Sequence, residues 1–132
     1  MDPGEAARCW AHEWAEGWRA HDAERIAALY ADDAVFRSQP FREPHSGPAG
    51  ARAYAEWAFS EEDSVECWFG EPIVSGVRAA VEYWAIVAWQ GREQTIAGIA
   101  VLRFVEDGRV AEQRDYWSMQ QGRHLPGETW GR

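Results

Sequence analysis

Residues 81–89, Val81-Glu82-Tyr83-Trp84-Ala85-Ile86-Val87-Ala88-Trp89, decide the architecture. The run is apolar at nearly every position and follows a turn signal at Ser75-Gly76, as a strand buried on both sides does. Period-two alternation puts Val81, Tyr83, Ala85, Val87 and Trp89 on one face and Trp84, Ile86 and Ala88 on the other. Both faces therefore need a covering layer.

Downstream, Gln90-Gly91 and Asp107-Gly108 are further turn signals, so the region after Ser64 divides into four runs and predicts four successive antiparallel strands. Upstream the period is helical. From Glu5 to Ala20, Trp10, Trp14 and Trp18 fall four apart with Ala7, Ala11 and Ala15 beside them. Asp22 suits the cap of a second helix with Ile26, Leu29 and Tyr30 on its buried face, ending near Asp32-Asp33. A short strand is expected from Ala34 to Ser38. The following Gln39 to Pro48 carries enough proline and glycine to exclude regular structure. Pro48 opens a third helix that runs through Tyr54, Trp57 and Ala58 to about Ser60, before the acidic Glu61-Glu62-Asp63.

Three helices cover one face of such a sheet, and no segment remains for the other. The expectation is an α+β fold that pairs as a homodimer through the outer sheet face. No repeat or linker divides the chain, so residues 1–132 read as one domain with a core at about 5–120 and a tail at 121–132, loosely ordered apart from Trp130.

The totals exclude several function classes. A formal charge of -9 opposes binding to nucleic acid or an anionic membrane, both of which need a positive footprint. No apolar stretch approaches a membrane span, and Met1-Asp2-Pro3-Gly4-Glu5 lacks the features of a signal peptide, so the chain reads as cytoplasmic. Cys9 and Cys67 read as two partly buried thiols rather than a disulfide framework. His12-Glu13-Trp14-Ala15-Glu16 has Glu16 where a zinc-protease helix needs its second histidine, so no metal is expected. Neither a nucleophilic triad order nor a phosphate loop is present, and no cofactor is expected.

The order helix, helix, short strand, loop, helix, meander resembles the nuclear transport factor 2-like superfamily, and its SnoaL-like branch in particular. The segments that carry the likeness are Ala20 to Ala34, Glu43-Pro44-His45-Ser46-Gly47, Leu102-Arg103-Phe104 with Asp107-Gly108-Arg109-Val110, and Arg114-Asp115-Tyr116-Trp117. The resemblance covers roughly residues 5 to 120 and implies a cone of three helices on a curved, mainly antiparallel sheet around a small-molecule pocket. Steroid isomerases of this superfamily place a tyrosine, an aspartate base and a protonated aspartic acid where this chain has Trp14, Ser38 and Ala100. A serine cannot act as a carboxylate base, an alanine donates no hydrogen bond and an indole donates without titrating near neutrality, which disfavours steroid isomerisation by that mechanism. Epoxide hydrolases of the same fold need a carboxylate on the strand that here reads Ala97-Gly98-Ile99-Ala100. The SnoaL-type cyclases instead place an aspartate on the last strand, and Asp115 matches it.

On that strand, alternation puts Gln113, Asp115 and Trp117 on one face, which the resemblance turns into the cone. A carboxylate among aromatic neighbours is desolvated and able to shuttle protons for an enolisable substrate; its competing reading is a structural aspartate bonded to nearby donors. The resemblance also places Ser38 inward, to position substrate or bond locally, with Arg37 and Gln39 at the mouth. Trp14, Trp18, Trp57, Tyr83 and Trp117 converge from four elements and suit a flat apolar or aromatic ligand, core packing being the alternative. Trp10 and Trp84 are expected away from the cavity. His45, in the Pro/Gly loop, is expected at the mouth and able to titrate near neutrality. These residues describe a cofactor-free isomerase, cyclase or dehydratase acting through Asp115, or else a non-catalytic protein that binds an apolar metabolite.

Overall fold

The computed structural model describes residues 1–132. The chain order is α1 (Pro3–Ala20), α2 (Ala23–Ala27), β1 (Tyr30–Arg37), β2 (His45–Ser46), α3 (Gly47–Phe59), β3 (Ser64–Phe69), β4 (Ile73–Ser75), β5 (Arg78–Trp89), β6 (Arg92–Phe104) and β7 (Val110–Gln121). The strands form one sheet in the order β2-β1-β7-β6-β5-β3, with β4 also pairing β5, and the helices pack on its inner face. No helix is long and apolar enough to cross a membrane.

Local chemistry explains the boundaries. Asp2 accepts a hydrogen bond from the Glu5 amide and Pro3 occupies the first turn of α1, where its missing N–H costs nothing. The helix stops at His21, which adopts a left-handed conformation (φ 52°). Asp22 then caps α2 through the Arg25 amide. The β5–β6 hairpin turns on Gln90 and Gly91, both at positive φ, the geometry that matches strand twist.

Several expectations need correction. The second helix does not reach Asp32-Asp33: it ends at Ala27, and Tyr30 already pairs in parallel with Val110. The two aspartates lie exposed where the β1–β7 register shifts, an irregularity that tolerates residues poor at forming strands. The Pro/Gly loop is not wholly irregular, because His45–Ser46 adds a two-residue strand to β1. The meander contains a fifth strand, β4, since Gly70-Glu71-Pro72 interrupts what reads as one run. Cys9 is exposed, while Cys67 is buried with its thiol pushed up to about 11 by desolvation.

The tail is anchored at more points than the expected Trp130. Strand β7 continues to Gln121, Trp84 Nε1 donates to the His124 carbonyl at 2.8 Å, and Trp130 packs edge-on against Trp84. Gly131 accepts from the Glu71 amide. The last residues thus cover one end of the outer face, around Trp84.

On the inner face, Gly98 pairs with Tyr83 on β5 and Trp117 on β7. A Cβ at this position would sit 2.6 Å from Trp117 Cβ and 3.0 Å from Tyr83 Cζ. Glycine is what lets both aromatic rings cross the sheet there.

Candidate functional site

The three tryptophans of α1 face the sheet because they recur every fourth residue, and β5 and β7 present Tyr83 and Trp117 in return. Between them lies a cavity of about 710 Å³ with 15 hydrophobic residues among its 23 lining residues, a size and character suited to a ring-bearing organic molecule. Trp14, Trp18, Trp57, Tyr83, Gln113, Asp115 and Trp117 all line it.

A hydrogen-bonded chain forms the cavity floor. Trp10 Nε1 and the Tyr30 hydroxyl both donate to Gln113 Oε1, at 3.1 Å and 2.5 Å, and Trp14 Nε1 donates to the Tyr30 hydroxyl at 3.1 Å. Because an indole N–H only donates, these bonds fix which end of the Gln113 amide is oxygen. Its Nε2 must then face β7's next inward residue, and it donates to Asp115 Oδ1 at 2.9 Å. No buried side-chain nitrogen or oxygen lacks a partner.

Burial raises the Asp115 carboxyl from an ordinary value of 3.8 to about 7, the Gln113 amide and the Tyr83 hydroxyl offsetting part of the rise. Desolvation likewise holds the Tyr54 and Tyr83 hydroxyls well above their ordinary range, so both stay protonated near neutrality. A proton acceptor that titrates near pH 7 thus stands beside neutral O–H donors.

Two more carboxyls line the same cavity, the exposed Glu61 and the half-buried Glu62. Glu62 is raised by burial to about 7, with the Trp18 indole, which donates to its Oε1 at 2.9 Å, holding it somewhat lower. His21 Nε2 lies 3.5 Å from the same oxygen and its ring stacks on Phe59. Asp63, next in sequence, is pinned to β5: its amide donates to the Ala88 carbonyl and its carboxylate accepts from the Gln90 amide. These bonds fix the turn in which Glu62 sits.

Other sequence-predicted residues lie elsewhere. Ser38 is fully buried outside the lining, where its Oγ accepts from Arg42 and its carbonyl accepts from Trp117 Nε1 at 2.6 Å, so it ties the wall together. His45 is also outside the lining; its ring packs on Phe36 and Tyr54, and burial with the nearby Arg42 charge lowers its pKa, leaving it neutral near pH 7. Arg37 and Gln39 do not line the mouth either, and Arg37 instead donates to the Arg42 carbonyl. Trp10, expected away from the cavity, lines it, whereas Trp84 lies on the outer face. Sequence reasoning missed Arg42, Tyr54 and Glu62. Helical spacing with Trp14 could have found Trp10, but nothing local marks Glu62 within Glu61-Glu62-Asp63 as the half-buried residue, with Glu61 beside it in the lining.

A SnoaL-like domain model matches residues 11–113. Among solved structures, the chain is similar to SalBIII, described as an epoxide hydrolase/cyclase-like enzyme in pyran ring formation in the polyether salinomycin. The TM-score is 0.77 at 15% identity, over 92% of this chain and 98% of that one. It is similar to RV0760c from Mycobacterium tuberculosis (TM-score 0.77, 19% identity, 92% and 99% covered). It is also similar to a Type2 hexachlorocyclohexane dehydrochlorinase, LinA (TM-score 0.76, 14% identity, 95% and 93% covered). No curated protein has a matching sequence.

Proposed function

Because the chain belongs to the SnoaL-like domain family and shares the nuclear transport factor 2-like cone of its structural neighbours, we propose that it catalyses a proton-transfer reaction on an apolar or aromatic small molecule. The reaction class is isomerisation, cyclisation or dehydration, carried by side chains without a cofactor. The observation that supports it best is Asp115, a buried carboxyl at the floor of an aromatic cavity, poised to titrate near neutrality.

In this reading ionised Asp115 takes a proton from a carbon next to a carbonyl. The C–H electron pair moves onto the carbonyl oxygen, where a neutral tyrosine hydroxyl, from Tyr83 or Tyr54, stabilises the developing charge. Protonated Asp115, or Glu62 from its own position on the wall, returns a proton to a different atom of the same molecule. Gln113 positions the base by bonding Oδ1.

Titration of the tryptophan fluorescence with aromatic, polyketide-like and terpenoid compounds, each mixture followed by chromatography, NMR and mass, tests the proposal. Saturable quenching with a new product, of unchanged mass after isomerisation or cyclisation and lighter by one water after dehydration, is the expected result. Saturable quenching of unaltered ligands across the panel would instead favour the binding-protein reading. For a converted substrate, kcat/KM is expected to rise with pH through about 7 as Asp115 ionises. A profile flat between pH 5 and pH 9 would remove Asp115 from the chemistry.

The same reading includes a homodimer. The outer face keeps Ile99 and Val101 half-buried and Tyr116 exposed beyond the part that the tail covers. Sedimentation of the chain is expected to give twice the monomer mass, and an Ile99→Glu variant is expected to give the monomer mass.

A further inference from the structure

At the open side of the cavity the guanidinium of Arg42 lies between two indoles, 5.6 Å from the Trp57 ring centre and 5.4 Å from that of Trp117. Trp117 is pinned by its bond to the Ser38 carbonyl. The Arg42 backbone is held in a turn, its amide donating to the Gln39 carbonyl and its own carbonyl accepting from Arg37. The cation is therefore built into the wall from both sides.

Its charge has no counterpart. The chain contains no lysine, and its thirteen basic side chains are all arginines. Six of them, Arg19, Arg25, Arg52, Arg109, Arg114 and Arg123, form ion pairs with carboxylates, as acidic residues in excess would lead one to expect. Arg42 has no carboxylate within 4 Å; Ser38 Oγ accepts from its fork at 3.2 Å, and the Tyr54 hydroxyl also stands within its reach. A guanidinium carries five N–H donors in a plane that matches a carboxylate. Arg92, the other arginine of the lining, is exposed and makes no ion pair. Trp57 beside Arg42 is 54% exposed, a large apolar surface left open at the same point.

We infer that the cavity takes a ligand with a carboxylate, which pairs with the Arg42 fork at the open side while its apolar, ring-bearing body stacks along Trp57 and Trp117 towards the floor. This deepens the reading of the cavity as a reaction site, since it orients the substrate with its acid group at the mouth and its reacting carbon near Asp115. A carboxylate seated between two indoles gains more from a guanidinium than it does in water, because the flanking rings exclude solvent.

Naphthalene-2-carboxylate and its neutral isostere 2-naphthamide, titrated by tryptophan quenching, separate charge from shape. The carboxylate is expected to bind at least tenfold more tightly than the amide to the native protein. Arg42→Gln is expected to weaken the carboxylate tenfold or more and the amide by less than threefold, and Arg42→Lys to recover part of the difference. Equal loss of both probes in Arg42→Gln, equal affinities in the native protein, or no saturable quenching by the carboxylate would overturn the inference. Neither probe has an enolisable C–H, and binding is read without turnover. The carboxylate anchor can thus fail while acid–base chemistry at Asp115 stands, and the reverse.

Discussion

Asp115→Asn is expected to lower kcat by about 10²- to 10⁴-fold, the usual contribution of a positioned general base, while changing the affinity for a quenching ligand by less than about threefold. The amide has the shape of the acid and can still accept from Gln113 Nε2 through its oxygen, so the floor keeps its geometry. What it loses is the ability to take a proton. Full turnover in the variant would end the acid–base reading at this residue.

The same substitution is expected to stabilise the protein at high pH. Between the ordinary carboxyl value of 3.8 and the folded value of about 7, the folded chain holds a proton that the unfolded chain releases. Stability therefore falls as pH rises through that window, by on the order of 4 kcal/mol once both states are ionised. The asparagine variant has no such loss. In urea denaturation the two proteins should lie close together at about pH 3 and diverge by pH 8.5, with the variant the more stable. A native protein with no pH dependence in this range would show that Asp115 is not held neutral by its surroundings.

Gln113→Leu is expected to destabilise the fold by about 3 kcal/mol or more, although it puts an apolar residue at a position only 1% exposed. The cost comes from the groups left behind: Trp10 Nε1 loses its acceptor, the Tyr30 hydroxyl loses its acceptor, and Asp115 loses its amide donor. A buried polar group left unpaired costs about 1–3 kcal/mol, more than the net value of the bond it made. Tyr30→Phe strands only Trp14 Nε1 and should cost about half as much. Urea midpoints at pH 5, where Asp115 is protonated in both proteins, isolate this effect from its charge. A change below about 1 kcal/mol in Gln113→Leu would mean that the floor network is easily replaced.

The features legible in the sequence were those that repeat within one element. Four-residue spacing identified α1 and its aromatic face, and alternation along the last strand separated Gln113, Asp115 and Trp117 from Arg114 and Tyr116. The features that were missed depend on partners distant in sequence. Tyr30 to Asp33 forms a strand because Val110 and its neighbours lie alongside, and local propensity at two aspartates pointed the other way. Glu62 faces inward because Asp63 is tied to β5, and Arg42 reaches the cavity because two tryptophans from α3 and β7 hold it. Ser38 illustrates the limit of superposition on a family. It is fully buried, its hydroxyl bonded to Arg42 and its carbonyl to Trp117, and it is not among the residues that line the cavity.

The parallel pairing of β1 with β7 also sets the order in which this molecule can assemble. Val35 lies beside Glu112, so the wall that follows α2 joins the strand bearing Asp115 only across some three quarters of a hundred intervening residues. During synthesis, the three helices and β1 leave the ribosome before their partner strand exists, with the tryptophans of α1 still unshielded. Such long-range contacts close slowly and late. The cavity is consequently the last part of the fold to acquire its floor, and a nascent chain halted before Val110 would expose the aromatic surface that binding later uses.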